Sequence, residues 1–193
     1  MRRVAVVGIT GAGKTTLARR LAARHGLAFL EMDATWHGPG WTRKSGHEGE
    51  VGDALSGSGW VTDSVGYEPT RALLWARLDT VVWLDLPRRQ VMFRVVRRSF
   101  VRASLRRELW NGNRESFRGW VRPDHPVRWA WSQHAERRRQ VAELLDGHPS
   151  VVCVALRSAS EARRWARRHV RAGAVPAARQ VQSAGATVGG GSS

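Results

Sequence analysis

Residues 8–15 of the chain read Gly8-Ile9-Thr10-Gly11-Ala12-Gly13-Lys14-Thr15, a complete G-x-x-x-x-G-K-[ST] loop. The apolar residues 4–7 before it predict a buried strand, and residues 14–25, ended by Gly26, predict a helix. Strand, glycine loop and helix form the context in which this motif cradles phosphate, because converging backbone N–H groups and the helix N-terminus attract an anion. The predicted nucleotide-binding loop comprises Gly8, Gly11, Ala12, Gly13, Lys14, Thr15 and Thr16.

Two side chains of this loop have predicted roles in chemistry. Lys14 is expected to reach the β- and γ-phosphates of ATP, and the Thr15 hydroxyl is expected to ligate Mg²⁺. Of the 32 basic residues, only Lys14 and Lys44 are lysines. A lysine retained in so arginine-rich a chain indicates a need for a compact ammonium group on a flexible stem.

Composition places limits on the class of protein. A length of 193 residues predicts one domain, residues 1–171, followed by a tail, residues 172–193, that is Ala/Gly/Ser/Val-rich and predicted to be disordered. The single cysteine, Cys153, excludes an internal disulfide and favours a reducing cytoplasm; its apolar neighbours predict a buried strand thiol. No run approaches 18 apolar residues, so we expect no membrane span.

The charge has two explanations that the sequence leaves open. A net charge of +16 favours an anionic partner, nucleic acid included, but it also fits a coding bias towards arginine. The excess is local, because residues 88–128 hold 12 arginines against three acidic residues.

Strand-like and helix-like segments alternate along the chain. The apolar runs are residues 3–7, 27–31, 60–63, 80–86 and 151–156. The segments with helical spacing are residues 14–25, 46–56, 69–77, 88–109, 127–146 and 159–171. Continuous apolar strands between helices predict an α/β fold with a parallel sheet covered on both faces.

Three aspartates, Asp33, Asp63 and Asp85, end apolar runs. Ligands bind beyond the carboxyl ends of parallel strands, so one aspartate is expected to hold Mg²⁺ with Thr15, and another to orient or deprotonate an acceptor hydroxyl. The alternative is that such an aspartate caps the next helix, which we favour for Asp85. The loop between Trp36 and Trp41 could stack on a base or simply pack on the protein.

Arginines repeat at helical spacing within the basic segment. Arg94, Arg98 and Arg102 stand four residues apart, where like charges repel unless an anion lies between them. They could form a solvated helix face, or a lid that closes on a triphosphate. The turn signal in residues 111–113 would bring Arg114 and Arg118 back across the lid.

Together the motifs resemble those of the adenylate-kinase-like "topology modulation" P-loop proteins over about residues 1–170. The likeness is carried by the glycine loop, Trp36-His37-Gly38-Pro39-Gly40-Trp41, Trp60-Val61-Thr62-Asp63, Val81-Val82-Trp83-Leu84-Asp85-Leu86-Pro87 and Leu109-Trp110-Asn111-Gly112-Asn113-Arg114-Glu115-Ser116. The resemblance implies a three-layer P-loop NTPase fold with sheet order 2-3-1-4-5, ATP binding and an arginine-rich helical lid at about residues 94–128. The chain departs from the family pattern after Asp63, where it reads Ser64-Val65-Gly66-Tyr67.

The resemblance also implies roles for side chains. Arg94 would stack on adenine, Arg98 would contact phosphates, Asp63 would be associated with Mg²⁺, and Asp33 would be the acceptor-side carboxylate. Arg157, which follows the last apolar run, is a further candidate for nucleotide binding. The candidate catalytic residues are Lys14, Asp33, Asp63, Arg98, Arg114 and Arg118, and the candidate metal ligands are Thr15 and Asp63.

Two functions remain open at this point. The first is a kinase that transfers the γ-phosphoryl group of ATP to a small-molecule or nucleotide acceptor. The second is an ATP-dependent regulator or weak ATPase that acts on nucleic acid through the basic lid, modulating DNA topology. A GTPase switch is disfavoured because the chain has no Asn-Lys-x-Asp motif. A zinc site is disfavoured because the seven histidines show no zinc-ligand spacing.

Overall fold

The fold is known from a computed structural model. It describes residues 1–38, 40, 42–104 and 126–170, with side chains for all of these except 98–104 and 126–130. Five strands are present in that part of the chain: β1 (Arg3–Gly8), β2 (Ala28–Leu30), β3 (Trp60–Thr62), β4 (Thr80–Leu84) and β5 (Val152–Leu156). The helices are α1 (Lys14–His25), α2 (Met32–Trp36), α3 (His47–Ser56), α4 (Arg71–Arg77), α5 (Arg88–Ser104), α6 (Pro126–Asp146) and α7 (Ala159–His169).

The strands form one parallel sheet in the order β2-β3-β1-β4-β5. This confirms the predicted α/β fold and its 2-3-1-4-5 order. Strand β1 lies in the middle of the sheet, and its residues 4–7 are at most 2% exposed. The continuous apolar run of this strand follows from its position, because both of its faces are covered.

Each face of the sheet has its own core. Because side chains alternate along a strand, Val4 and Val6 point into one core and Ala5 and Val7 into the other. The first core is filled mainly from α1 and α5, and it includes Leu17, Leu21, Val91 and Val95. The second is filled mainly from α3 and α4, and it includes Val51, Leu55, Leu74 and Trp75. The carboxyl end of β1 is thereby held rigidly beneath the glycine loop.

Two sequence expectations were wrong in detail. Asp33 does not end a strand, since β2 stops at Leu30 and Asp33 lies in the first turn of the unpredicted helix α2. A carboxylate is favourable there because it faces the positive end of the helix dipole. Cys153 is in β5 as expected but is exposed rather than buried, because β5 is the last strand of the sheet order.

Several predictions concern residues outside the described part of the chain. These are the turn at 111–113, Arg114, Arg118, Trp41, most of the lid at 94–128 and the tail at 172–193. Among the described helices, none combines the length and apolar character that a membrane crossing requires.

Candidate functional site

The glycine loop between β1 and α1 has the backbone shape that its motif predicts. Gly11 and Gly13 have φ angles of +83° and +101°, in the left-handed region that side chains other than glycine rarely adopt. A Cβ on Gly11 would lie 2.3 Å from Cγ2 of Val95, so helix α5 packs directly on the loop. Only glycine allows this approach.

The first turn of α1 presents its amide groups to this loop. Gly13 is the N-cap and has no side chain to accept from those amides, and the first turn contains no acidic residue. The first N–H groups of a helix have no partner within the helix, and the helix dipole makes that end positive. The N-terminus of α1 can therefore bind an anion such as phosphate.

Two cationic side chains lie against the same loop. The Lys14 ammonium group donates to the Ile9 carbonyl at 3.2 Å. From helix α5, Nη1 of Arg94 donates to the Ala12 carbonyl at 3.0 Å. Positive charge from two separate elements thus lies where the phosphates of a nucleotide would bind.

A hydroxyl and a carboxylate meet beside the loop. Oγ1 of Thr15 donates to Oδ2 of Asp63 at 2.5 Å, and the Met32 amide donates to Oδ1 of Asp63 at 3.2 Å. Asp63 follows β3 directly and is 5% exposed. Burial raises its pKa, with a contribution from the negative charge of Asp33, while the bond from Thr15 and the charge of Lys14 oppose the rise.

The chemistry of this pair fits Mg²⁺. A hydroxyl and a carboxylate supply the hard oxygen ligands that Mg²⁺ prefers, and a buried carboxylate is disfavoured as an anion until a cation compensates it. Among the described residues, no group of three His, Cys, Asp or Glu side chains could hold a metal ion. Thr15 and Asp63 are thus the described residues whose chemistry fits the ion.

A second carboxylate lies near this pair, on helix α2. Oδ1 of Asp33 accepts a hydrogen bond from the Tyr67 hydroxyl at 2.6 Å. The charge of Asp33 acts on both Asp63 and Tyr67, which places the three groups in one region. Burial, followed by the charge of Asp33 and the hydrogen bond to it, raises the pKa of Tyr67 far above its ordinary value, so the phenol keeps its proton.

Two arginines lie in the same region. Burial lowers the pKa of Arg137, on α6, and the positive charge of Arg71 lowers it further, while Tyr67 and Asp33 oppose both effects. Arg71, at the start of α4, donates through Nε to the Gly66 carbonyl at 3.2 Å and pairs with Glu68 at 2.7 Å. Two guanidinium groups and two carboxylates, those of Asp33 and Glu68, therefore lie around Tyr67.

The structure brings together some of the sequence-predicted residues. Lys14, Thr15, Asp63, Asp33 and Arg94 converge on the loop or on the carboxylates beside it. Gly8, Gly11, Ala12 and Gly13 form the loop, and Thr16 is exposed in the first turn of α1.

Other predicted residues lie elsewhere or lack a described side chain. Arg157 is exposed after β5, where its amide donates to Glu161 at 2.7 Å. Asp85 pairs with Arg138 of α6, with Nε and Oδ1 2.6 Å apart, and its role as a helix cap stays a prediction. Only the backbone of Arg98 is described, in α5, and Arg114 and Arg118 lie outside the described residues.

Sequence reasoning missed two residues of this region, Tyr67 and Arg137. Tyr67 is the one tyrosine of the chain and follows the glycine Gly66, a signal that could have drawn attention to it. Arg137 stands in the run Arg137-Arg138-Arg139, and nothing in the spacing distinguishes it from its neighbours. Only the packing of α6 identifies it.

Comparison with known proteins yields a likeness of fold. No family model matches the chain, and no curated protein matches it. Among solved structures, a shikimate kinase from Acinetobacter baumannii in complex with shikimate is 20% identical, with a TM-score of 0.52, and the match covers 87% of this chain and 90% of that one.

Two further structures are less similar. A gluconokinase from Sinorhizobium meliloti 1021 is 18% identical with a TM-score of 0.48, covering 88% of this chain and 89% of that one. An unliganded sugar kinase from Janibacter sp. HTCC2649 is 22% identical with a TM-score of 0.43, covering 81% and 85%. Taken with the sheet order, the likeness to the shikimate kinase shows that this chain has an α/β P-loop fold.

Proposed function

We propose that the protein is a phosphotransferase that moves the γ-phosphoryl group of ATP to a hydroxyl group of a small anionic acceptor. The observation that carries this proposal is the hydrogen bond between Thr15 and Asp63, with Asp33 close enough for its charge to act on Asp63. Transfer of a phosphoryl group to a hydroxyl requires a phosphate-binding loop, oxygen ligands for Mg²⁺ and a carboxylate that orients the hydroxyl. The glycine loop, the Thr15–Asp63 pair and Asp33 are assigned to these three roles.

Binding of the nucleotide is assigned to the loop and α1. The amides of residues 11–16 surround the phosphates, Lys14 moves from the Ile9 carbonyl onto the β- and γ-phosphates, and Arg94 adds a second positive charge from α5. These donors stabilise the charge that develops on the transferred group. Thr15 and Asp63 are the residues that would hold Mg²⁺, which, when bound, neutralises phosphate charge.

The acceptor is assigned to the side of Asp33. Asp33 orients the acceptor hydroxyl and accepts its proton while the hydroxyl oxygen bonds to the γ-phosphorus; the bond from that phosphorus to the β–γ bridging oxygen breaks, and ADP leaves. Arg137 favours an acceptor that also carries a negative charge, since burial and the charge of Arg71 both destabilise its guanidinium group and a further anion would stabilise it. A hydroxy acid or a phosphorylated alcohol meets both requirements.

Nucleic-acid binding is not part of this proposal. That alternative depends on the arginines of the lid, and apart from Arg94 and Arg97 their side chains lie outside the described residues. The contacts within the described part of the chain instead bring Asp33, Tyr67 and Arg137 into one region, which supports a small-molecule acceptor.

An acceptor screen tests the proposal. ADP release from Mg-ATP is measured with hydroxy acids such as shikimate and gluconate, with nucleoside monophosphates, with neutral alcohols such as glycerol, and with water alone. We expect at least one anionic, hydroxyl-bearing compound to raise turnover well above the water rate, and Asp33→Asn to abolish that stimulation. Stimulation by none of the compounds would contradict the phosphotransferase, and stimulation by neutral alcohols alone would contradict the anionic acceptor.

A further inference from the structure

We infer that Tyr67 is a positioning residue that holds the carboxylate of Asp33 in the orientation needed to receive the acceptor hydroxyl. This inference rests on the proposed function. The bond between Oη of Tyr67 and Oδ1 of Asp33 is 2.6 Å long, at the short end for a hydroxyl and a carboxylate. A carboxylate only accepts, so the phenol is the donor, and its raised pKa keeps the proton in place. With Oδ1 occupied, Oδ2 is assigned to the acceptor hydroxyl.

The ring of Tyr67 is itself held by aromatic packing from α2. Trp36 stacks on it with the ring centroids 4.4 Å apart and the planes 17° from parallel. The guanidinium group of Arg43 lies 4.8 Å from the Trp36 ring centroid. Trp36 stands three residues after Asp33, so both side chains lie on one face of the same helix. Helix α2 thus contacts Tyr67 at both its hydroxyl and its ring.

A buried histidine joins the two segments that carry this pair. His47, 1% exposed, contacts Oγ1 of Thr35 in α2 through Nδ1 at 3.0 Å, and Oγ1 of Thr70 through Nε2 at 3.3 Å. Thr70 in turn donates to the carbonyl of Tyr67 at 3.0 Å. The ring of His47 also meets that of Trp36 edge-on at 5.0 Å.

The partners of His47 restrict its protonation. The Thr35 hydroxyl donates to the Met32 carbonyl at 2.8 Å, so it accepts from a protonated Nδ1 of His47. Burial lowers the pKa of His47, which favours the neutral ring, and the unprotonated Nε2 then accepts from Thr70 only when that hydroxyl turns away from the Tyr67 carbonyl. His47 therefore acts as a fixed link between α2 and the segment that follows β3.

This network has a consequence for catalysis. Asp63 and Tyr67 lie on the same segment after β3, and Asp33 lies on α2, so the network sets the position of the acceptor carboxylate relative to the Thr15–Asp63 pair. Holding reacting groups in place removes an entropic barrier from the chemical step. Loss of the Tyr67 hydroxyl should therefore lower kcat and leave the affinity for ATP nearly unchanged.

The first test needs neither substrate nor turnover. Because Tyr67 is the one tyrosine among the 193 residues, the ultraviolet absorbance of tyrosinate reports on this group alone. In the wild-type protein we expect ionisation well above the ordinary value of 10.0. Tyr67 of the Asp33→Asn variant should ionise at lower pH than that of the wild type, and Asp79→Asn, which removes a carboxylate elsewhere, should match the wild type. Equal titrations of Asp33→Asn and the wild type, with circular dichroism showing folded protein, would overturn the inference.

The second test uses the acceptor found in the screen. Tyr67→Phe keeps the stacked ring and removes only the hydroxyl, and it should lower kcat by about 10- to 100-fold, as loss of such supporting partners does. KM for ATP should stay within about twofold, because the lost hydroxyl bonds to Asp33 and not to the glycine loop.

A matched control removes the same kind of bond outside the site. Thr80 donates through its hydroxyl to Asp79 at 2.6 Å, so Thr80→Val deletes a hydroxyl–carboxylate bond of equal length. It should leave kcat unchanged. A rise in KM for ATP that accompanies the loss of kcat in Tyr67→Phe, or an equal loss of kcat in Thr80→Val, would show that Tyr67 has only a structural role. If no acceptor is found, the proposed function fails, and the tyrosinate titration still decides whether Tyr67 holds Asp33.

Discussion

Replacement of Gly11 by alanine tests the contact between helix α5 and the glycine loop. At φ +83° a residue with a Cβ costs about 1–2 kcal/mol of folding free energy. The added Cβ would also lie 2.3 Å from Cγ2 of Val95, a stiff, β-branched and fully buried side chain, and such overpacking costs about 1–3 kcal/mol. We therefore expect Gly11→Ala to lower the free energy of unfolding by about 2–5 kcal/mol.

Gly13 provides the matched control. Its φ is +101°, but an added Cβ meets no atom within 4 Å in the described part of the chain, so Gly13→Ala should lose only about 1–2 kcal/mol, the backbone share. Urea denaturation without nucleotide measures both losses. In the variant that carries both Gly11→Ala and Val95→Ala, the smaller side chain at position 95 makes room for the added Cβ. The loss in free energy of unfolding should therefore be smaller, by about 1 kcal/mol or more, than the sum of the losses of the two single variants. The contact between Gly11 and Val95 would be refuted if Gly11→Ala and Gly13→Ala lost equal stability. It would also be refuted if the loss in the double variant equalled the sum of the losses of its two single variants.

Two further predictions concern charge. Lys14→Ala should abolish ATP-dependent turnover. Its circular dichroism spectrum and Tm should stay close to those of the wild type, because Lys14 is half-buried in the loop and outside both cores. Unchanged turnover would count against the site. Burial holds the pKa of His47 below 6.5, so the unfolded chain binds more protons than the folded one below that pH, and stability should fall as pH drops through 6.5. His47→Gln should flatten this part of the pH–stability curve, and an unchanged slope would contradict the assignment.

The glycine loop and the sheet could be predicted because their signals are local. The loop motif lies within eight consecutive residues, and each strand shows a continuous apolar run. Such runs do not reveal how exposed a strand is, which is why Cys153 was expected to be buried although β5 ends the sheet order. Helix α2 was missed because its five residues are too short to show a helical period.

The region around Asp33 could be predicted only in part. Asp33 was identified, but its partner Tyr67 stands 34 residues away and their bond depends on how α2 packs against the segment after β3. Arg137 comes to the same region from α6, a long way along the chain, and its burial is a result of helix packing. No periodicity or residue spacing in the sequence reveals contacts of this kind.

The proposed function requires that the loop binds Mg-ATP through Thr15 and its partner Asp63. Isothermal titration calorimetry of the full chain with Mg-ATP, and with ATP in excess EDTA, tests it most directly, using Thr15→Ser to keep the hydroxyl and Thr15→Val to remove it. We predict heat of binding for the wild type and Thr15→Ser that strengthens with Mg²⁺, and loss of the Mg²⁺ effect in Thr15→Val. No heat with the wild type, or an undiminished Mg²⁺ effect in Thr15→Val, would contradict the claim.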